Sequence, residues 1–168
     1  MSRYSAIFDS PIGALGIRVH ADRLIGIDFL GTHELTPPED LFSKQVGSQL
    51  AQYFRDPRFV FELPFDERGT VFQKRVWQAL RRIPCGAPIS YGALATQLGT
   101  AARAIGGACR ANPIPLLTPC HRVVAAQGIG GFSGDAEGGW VAAKQWLLAH
   151  ERGERPASRV ALARVGRG

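Results

Sequence analysis

The sequence predicts a mixed α/β fold of the α+β kind: a small N-terminal antiparallel sheet with a helix, followed by a mainly helical domain containing a helix-turn-helix. Two observations carry this. The first thirty residues fall into short β-branched and aromatic runs split by "DSPIG" and "HADR", the pattern of a meander rather than of crossover units. Beyond Thr70, apolar residues recur at helical spacing in several short stretches.

Taken in order, "YSAIFDSPIGALGIRVHADRLIGIDFL" predicts three strands. After Pro37-Pro38, "EDLFSKQVGSQLAQYF" places Leu41, Phe42, Val46, Leu50, Tyr53 and Phe54 near helical spacing, and Asp56-Pro57 ends that helix. Thr70-Val71-Phe72-Gln73 has the form of a capping box, with Phe72, Val76, Leu80 and Ile83 along one face of the helix it opens. Ser90 caps a short helix through Leu98, whose inward face is Tyr91, Leu94, Ala95 and Leu98, and Gly99 suits the left-handed position after it. "AARAIGGACRAN" follows as a second helix, closed by Asn112-Pro113 because a residue before proline is pushed out of the helical region.

That second helix is short of bulk. Alanines and glycines leave a slim rod from which Arg103 and Arg110 project, and glycine costs a helix about 1 kcal/mol relative to alanine, so their use points to close approach of another backbone. Either a neighbouring helix packs tightly there, or the rod enters a DNA groove. "NPIPLLTPCHRVV" is expected to be extended, "AAQGIGGFSGDAEGG" a glycine-dense loop, residues 140–151 a last helix, and residues 154–168 a basic tail. The domains are therefore drawn as 1–66, an N-terminal α/β piece; 67–153, the helix-turn-helix piece; and 154–168, the tail.

With 168 residues, 45% of them hydrophobic, the chain has enough apolar material for a core. No apolar run reaches membrane-spanning length and the N-terminus lacks signal-peptide order, so a cytoplasmic protein with no membrane association is expected. Cys85, Cys109 and Cys120 are odd in number and form no CxxC pair, which argues against a disulfide framework or a cysteine-rich zinc site. The net charge of +6 is uneven: residues 1–66 carry 6 Lys+Arg against 9 Asp+Glu, and residues 67–168 carry 14 against 5. A strongly basic second part suits a polyanion, nucleic acid first, although a solvated basic surface would look the same.

The chemical candidates gather at "TPCHRVV". On an extended segment the side chains of Cys120 and His121 point opposite ways, so a bridging water is needed to connect them. A histidine base needs a carboxylate behind it, and few follow Glu67; Glu151, at a helix C-terminus where the macrodipole disfavours an anion, is the partner expected to help tune the Cys120 thiol toward thiolate.

Together, "PCHRVV", "GTVFQKRVWQALRRIPCG", "ISYGALA", "AARAIGGACRANP" and "KQWLLAHE" resemble the O6-alkylguanine-DNA alkyltransferases (methylated-DNA–protein-cysteine methyltransferases). The resemblance covers roughly residues 69–151, and "FDSPIGALGIRV" resembles the family's N-terminal strands more loosely. It implies a single-turnover repair protein whose Cys120 takes the alkyl group from O6-alkylguanine, and also from O4-alkylthymine, as a thioether. By the same resemblance His121 and Glu151 form a water-linked relay, Tyr91 supplies a proton at guanine N3, and Arg103 fills the gap left by the flipped base. Asn112 corresponds to a hinge, Ser133 lies near the guanine oxygen, and the carbonyls of Cys120 and Val123 receive the base's amine. Arg110 and Ser90 are counted with the DNA-binding residues.

The implied partner is double-stranded DNA containing alkylated guanine, met by a monomer, with cooperative binding left open; no cofactor and no metal are implied. Residues 1–66 contain no cysteine, so the zinc-bearing methyl-phosphate acceptor domain of some relatives is not expected. Three features depart from the family pattern: a turn before Arg103 about two residues shorter than in many relatives, an apparent insertion "DAEGG" at 135–139, and Phe132 where a tyrosine is frequent. Two other functions compete. A non-enzymatic lesion binder would carry tryptophan in place of Cys120, and a cysteine hydrolase would need a distant histidine in direct contact with its thiol.

Overall fold

The structure, a computed structural model, describes residues 3–126 and 139–154. The expectations for Ser133, Phe132, insertion residues 135–138 and the tail beyond Glu154 lie outside these residues.

The predicted meander is present as β1 (Ala6–Phe8), β2 (Ala14–His20) and β3 (Arg23–Gly31), antiparallel in the order β1-β2-β3. His20 pairs with Arg23 across a two-residue turn in which Ala21 and Asp22 both have positive φ, 51° and 56°. Such a turn matches the twist of the strands it joins, at the cost of holding two non-glycine residues in the left-handed region. Helix α1 (Leu41–Arg55) begins at Asp40, whose carboxylate accepts from the Ser43 N–H, and buries Phe42, Val46, Leu50 and Tyr53. Gly47 lets the Phe8 ring lie against this helix: a Cβ there would sit 2.5 Å from the ring. Leu41, expected on the inward stripe, is instead 84% exposed, since it is the first helical residue and lies off the arc of the others.

The predicted capping box opens α2 (Val71–Arg81), with Thr70 Oγ1 accepting from Gln73 N and Gln73 Oε1 from Thr70 N. Helices α3 (Tyr91–Leu98) and α4 (Ala102–Arg110) follow, joined by residues 99–101 and in contact with each other. Gly99 takes the left-handed conformation at φ 69°, and Thr100 N reaches back to Ala95 O, closing the end of α3. Trp77, fully buried on α2, donates its indole N–H to Ala108 O and anchors α4. The last helix, α5 (Gly139–Glu151), buries Ala143, Lys144, Leu147, Leu148 and Glu151.

Two features differ from the sequence reading. Ile89–Ser90 (β4) and Val123–Val124 (β5) form a parallel pair, too short to leave a periodic signature. Cys120–Arg122 is a 3-10 turn rather than extended, because proline excludes a helix only through its own position and Arg122 N bonds back to Pro119 O.

One hydrophobic cluster runs from Ile12 to Leu147 and includes residues on both sides of position 66. Backbone bonds from Leu24 N to Pro64 O and from Ile27 N to Pro113 O tie β3 to the chain on either side of the helical part. The sheet thus braces the segment that leads into Cys120. No helix among the described residues is long and apolar enough to cross a membrane.

Candidate active site

Cys120 and His121 sit at the floor of the fold, the cysteine 4% exposed and the histidine fully buried. The loop that carries them is held from below by Asn112. Its amide donates to Thr118 O at 2.8 Å while its carbonyl accepts from Ile114 N at 3.0 Å, so one side chain fastens both ends of the turn between α4 and the cysteine. Arg81 supports the same loop from α2, donating to Thr118 Oγ1 and to both oxygens of Glu67.

Behind the histidine lies the expected carboxylate. His121 Nε2 is 2.8 Å from Glu151 Oε2, with both side chains 1% exposed. Three further donors reach this carboxylate: Tyr53 Oη to Oε2 at 2.6 Å, Arg122 Nε to Oε1 at 2.8 Å, and Arg122 Nη2 to Oε2 at 3.0 Å. Three of the four donors converge on Oε2 and one reaches Oε1, so both oxygens are engaged. Despite burial, which opposes ionisation, the hydrogen bonds from His121, Arg122 and Tyr53 hold the Glu151 carboxyl far below the usual range, so it is ionised. An ionised carboxylate only accepts, so Nε2 of His121 carries the proton and Nδ1 of the neutral ring is its basic end. Burial holds the imidazole below its ordinary pKa, which keeps the ring neutral. Nδ1 is buried and has no hydrogen-bond partner among the described residues.

Cys120 lies where burial opposes its ionisation. Burial pushes the Cys120 thiol up, and the groups that favour its thiolate are the Asn112 amide and the Lys144 ammonium. The resting residue is a thiol.

Lys144 is the main residue that sequence reasoning missed. It is fully buried, donates from Nζ to Val123 O at 2.7 Å, and lies 3.5 Å from Tyr91 Oη. Burial pulls its pKa down to about 8. At neutral pH it is a cation beside the cysteine. A signal existed: Lys144 stands seven residues before Glu151, two helical turns, and so shares its face of α5. Arg122 forks onto both oxygens of Glu151 through Nε and Nη2 and is part of the same network.

Tyr91 opens α3 and is partly buried; burial, then Cys109 and Cys120, raise its phenol to about 12, so it keeps its proton at neutral pH. The Val123 carbonyl accepts from Lys144, and the Cys120 carbonyl from Val123 N. Ser90 Oγ accepts from Ala93 N as the cap of α3. Arg103 and Arg110 stand exposed on α4, and the charge of Arg110 reaches Tyr91. A Cβ built at Gly106 or Gly107 would meet nothing within 4 Å among the described residues, so no packing partner there requires their smallness. Among the same residues no group of three or more His, Cys, Asp or Glu could hold a metal.

A scan against family models matches residues 71–153 to "6-O-methylguanine DNA methyltransferase, DNA binding domain". The methylated-DNA–protein-cysteine methyltransferase of Mycobacterium tuberculosis is 42% identical over 166 residues, covering 94% of this chain and 96% of the relative. That of Mycolicibacterium paratuberculosis is 47% identical over 159 residues, covering 89% and 93%. Among solved structures, the M. tuberculosis O6-methylguanine methyltransferase superposes with TM-score 0.74 at 40% identity, covering 90% of this chain and 93% of that one. The M. tuberculosis OGT in complex with DNA gives TM-score 0.72 at 38% identity, covering 90% and 94%.

Proposed function

The chain belongs to the O6-alkylguanine-DNA alkyltransferases, the methylated-DNA–protein-cysteine methyltransferases, and from that premise we propose how its own residues perform the reaction. The protein repairs DNA by direct reversal, moving the alkyl group from O6-alkylguanine to one of its own cysteines without turnover. Cys120 is that cysteine. The observation that supports this reading is the buried pair of His121 and an ionised Glu151, with His121 next in the chain to a buried Cys120 on which the Lys144 charge acts.

The base must leave the duplex to reach so buried a sulfur, at a cost of a few kcal/mol. Arg103, exposed on the slim and unobstructed face of α4, fills the space it leaves, and Arg110 adds charge along the backbone. The thiol proton passes through a bridging water to His121 Nδ1, and the imidazolium so formed is stabilised by Glu151. Lys144 stabilises the sulfur anion as it forms. The sulfur attacks the alkyl carbon, an S–C bond forms, and the C–O6 bond breaks with its electron pair moving onto the guanine. Tyr91 hands its proton to N3, so the guanine leaves neutral, and the phenolate is reprotonated from the relay. Asn112 keeps the loop in register throughout.

The partner is DNA carrying the alkylated base, bound by a monomer in the cytoplasm, with O4-alkylthymine as a second substrate. Residues 67–153 carry the chemistry and 1–66 brace them. Duplex DNA with a single O6-methylguanine, incubated with an equal amount of protein, should end as unmodified DNA in one stoichiometric event. Persistence of the methylated base, or its repair many times over by each molecule, would overturn the reading.

A further inference from the structure

The mechanism uses one face of the Glu151 carboxylate, yet its shortest hydrogen bond comes from a residue far away in the chain. Tyr53, 2% exposed on α1, donates to Oε2 at 2.6 Å, to the same oxygen that accepts from His121 Nε2. Its backbone carbonyl meanwhile lies 2.8 Å from His150 Nε2. A single residue thus grips two successive residues at the last turn of α5, one through its hydroxyl and one through its carbonyl. Its ring packs edge-on against Phe54 and His150 and tilts against Phe61, so the hydroxyl has little freedom to swing away. Burial and the neighbouring carboxylate raise the phenol well above its usual pKa, which keeps it a donor at working pH.

We propose that Tyr53 is a positioning residue for alkyl transfer, acting through Glu151 on the base strength of His121. The inference rests on the reading of Cys120, His121 and Glu151 given above. Tyr53 lies outside residues 71–153, the stretch matched by the family model, so the helical part alone does not contain the whole relay. The hydroxyl does two things at Oε2. It fixes the carboxylate where His121 meets it, and it withdraws negative charge that would otherwise draw more strongly on the Nε2 proton. Without it the carboxylate becomes more basic, the imidazolium becomes easier to form, and the carboxylate gains freedom to turn away from His121.

The test is Tyr53→Phe, which keeps the ring and its packing and removes only the hydroxyl. Transfer from DNA containing O6-methylguanine is followed at several pH values, with the endpoint of methylated protein measured by mass. The endpoint counts folded, competent molecules whatever their rate. The expected result is an endpoint equal to that of the wild type, a transfer rate lower by roughly tenfold, the scale of one hydrogen bond to a charged group, and an acid limb of the pH–rate profile displaced to higher pH. An unchanged profile overturns the proposal whether the rate falls or not, because a brace with no part in the relay slows every pH alike. Should the variant give a low endpoint, the rate per competent molecule and the histidine titration followed by NMR still decide the matter: His121 moves upward in pKa if the inference holds and stays put if it does not. Failure of the wild type itself to accept a methyl group would instead sink the reading on which the inference rests.

Discussion

Replacing Glu151 by glutamine probes the relay most severely. The carboxylate accepts four hydrogen bonds, from Tyr53, His121 and twice from Arg122. Glutamine has one acceptor oxygen, so its amide must face at least one of these donors, and the Arg122 guanidinium loses the charge that pairs it. Removing one partner of a buried ion pair costs about 3–5 kcal/mol. For a chain of this size about 2–4 °C of melting temperature go with each kcal/mol, so Glu151→Gln should melt roughly 10 °C or more below the wild type. The pH dependence has a definite sign. A carboxylate with a depressed folded pKa contributes fully above its unfolded value, about 4.3, and its contribution is lost as pH falls through the folded value. Urea unfolding of the two proteins should therefore show a constant gap from pH 7 to about 5, narrowing below about 4. Alkyl transfer by the folded variant should be slower by about a hundredfold, the loss expected when a general base loses its support. A variant as stable as the wild type at pH 7, or a gap that widens in acid, would refute the four-donor argument.

Other outcomes follow from single contacts. Arg103→Ala should slow transfer from duplex DNA while leaving transfer from a free alkylated guanine base unchanged; equal slowing with both would remove Arg103 from base extrusion. Lys144→Met should slow transfer at neutral pH. Because the lysine's folded pKa, about 8, lies below its unfolded value, the wild type should gain stability relative to this variant as pH rises from 8 toward 10.5, measured by urea unfolding. A pH-independent difference would contradict the buried ammonium. Asn112→Ala removes bonds to Thr118 and Ile114 and should cost about 2 kcal/mol in stability, with slower transfer, read by thermal melting and by rate.

Much of this was legible in the chain. Capping residues such as Thr70 and Ser90 act within one turn, so their roles follow from local spacing, and the slim helix with its two arginines could be read residue by residue. The pairing of His121 with Glu151 followed from chemistry, since a buried histidine base needs a carboxylate and the basic half has few. What escaped depends on the tertiary fold. Tyr53 reaches Glu151 across 98 residues, and no local pattern separates it from the other core aromatics of α1. Two-residue strands such as β4 and β5 have no period to detect. Lys144 hid because a lysine inside a helical pattern reads as solvent-facing until its register with Glu151 is counted.

The central claim is that Cys120, and neither Cys85 nor Cys109, ends the reaction as a thioether. Burial raises the thiols of all three, yet Cys120 alone stands next to His121 in the chain. The direct measurement is peptide mapping by mass spectrometry after incubation with excess DNA containing O6-methylguanine. The account predicts one methyl group on the peptide bearing Cys120, reaching one per molecule and rising no further. A methyl group on another cysteine, or none on Cys120 while the DNA is repaired, would contradict it.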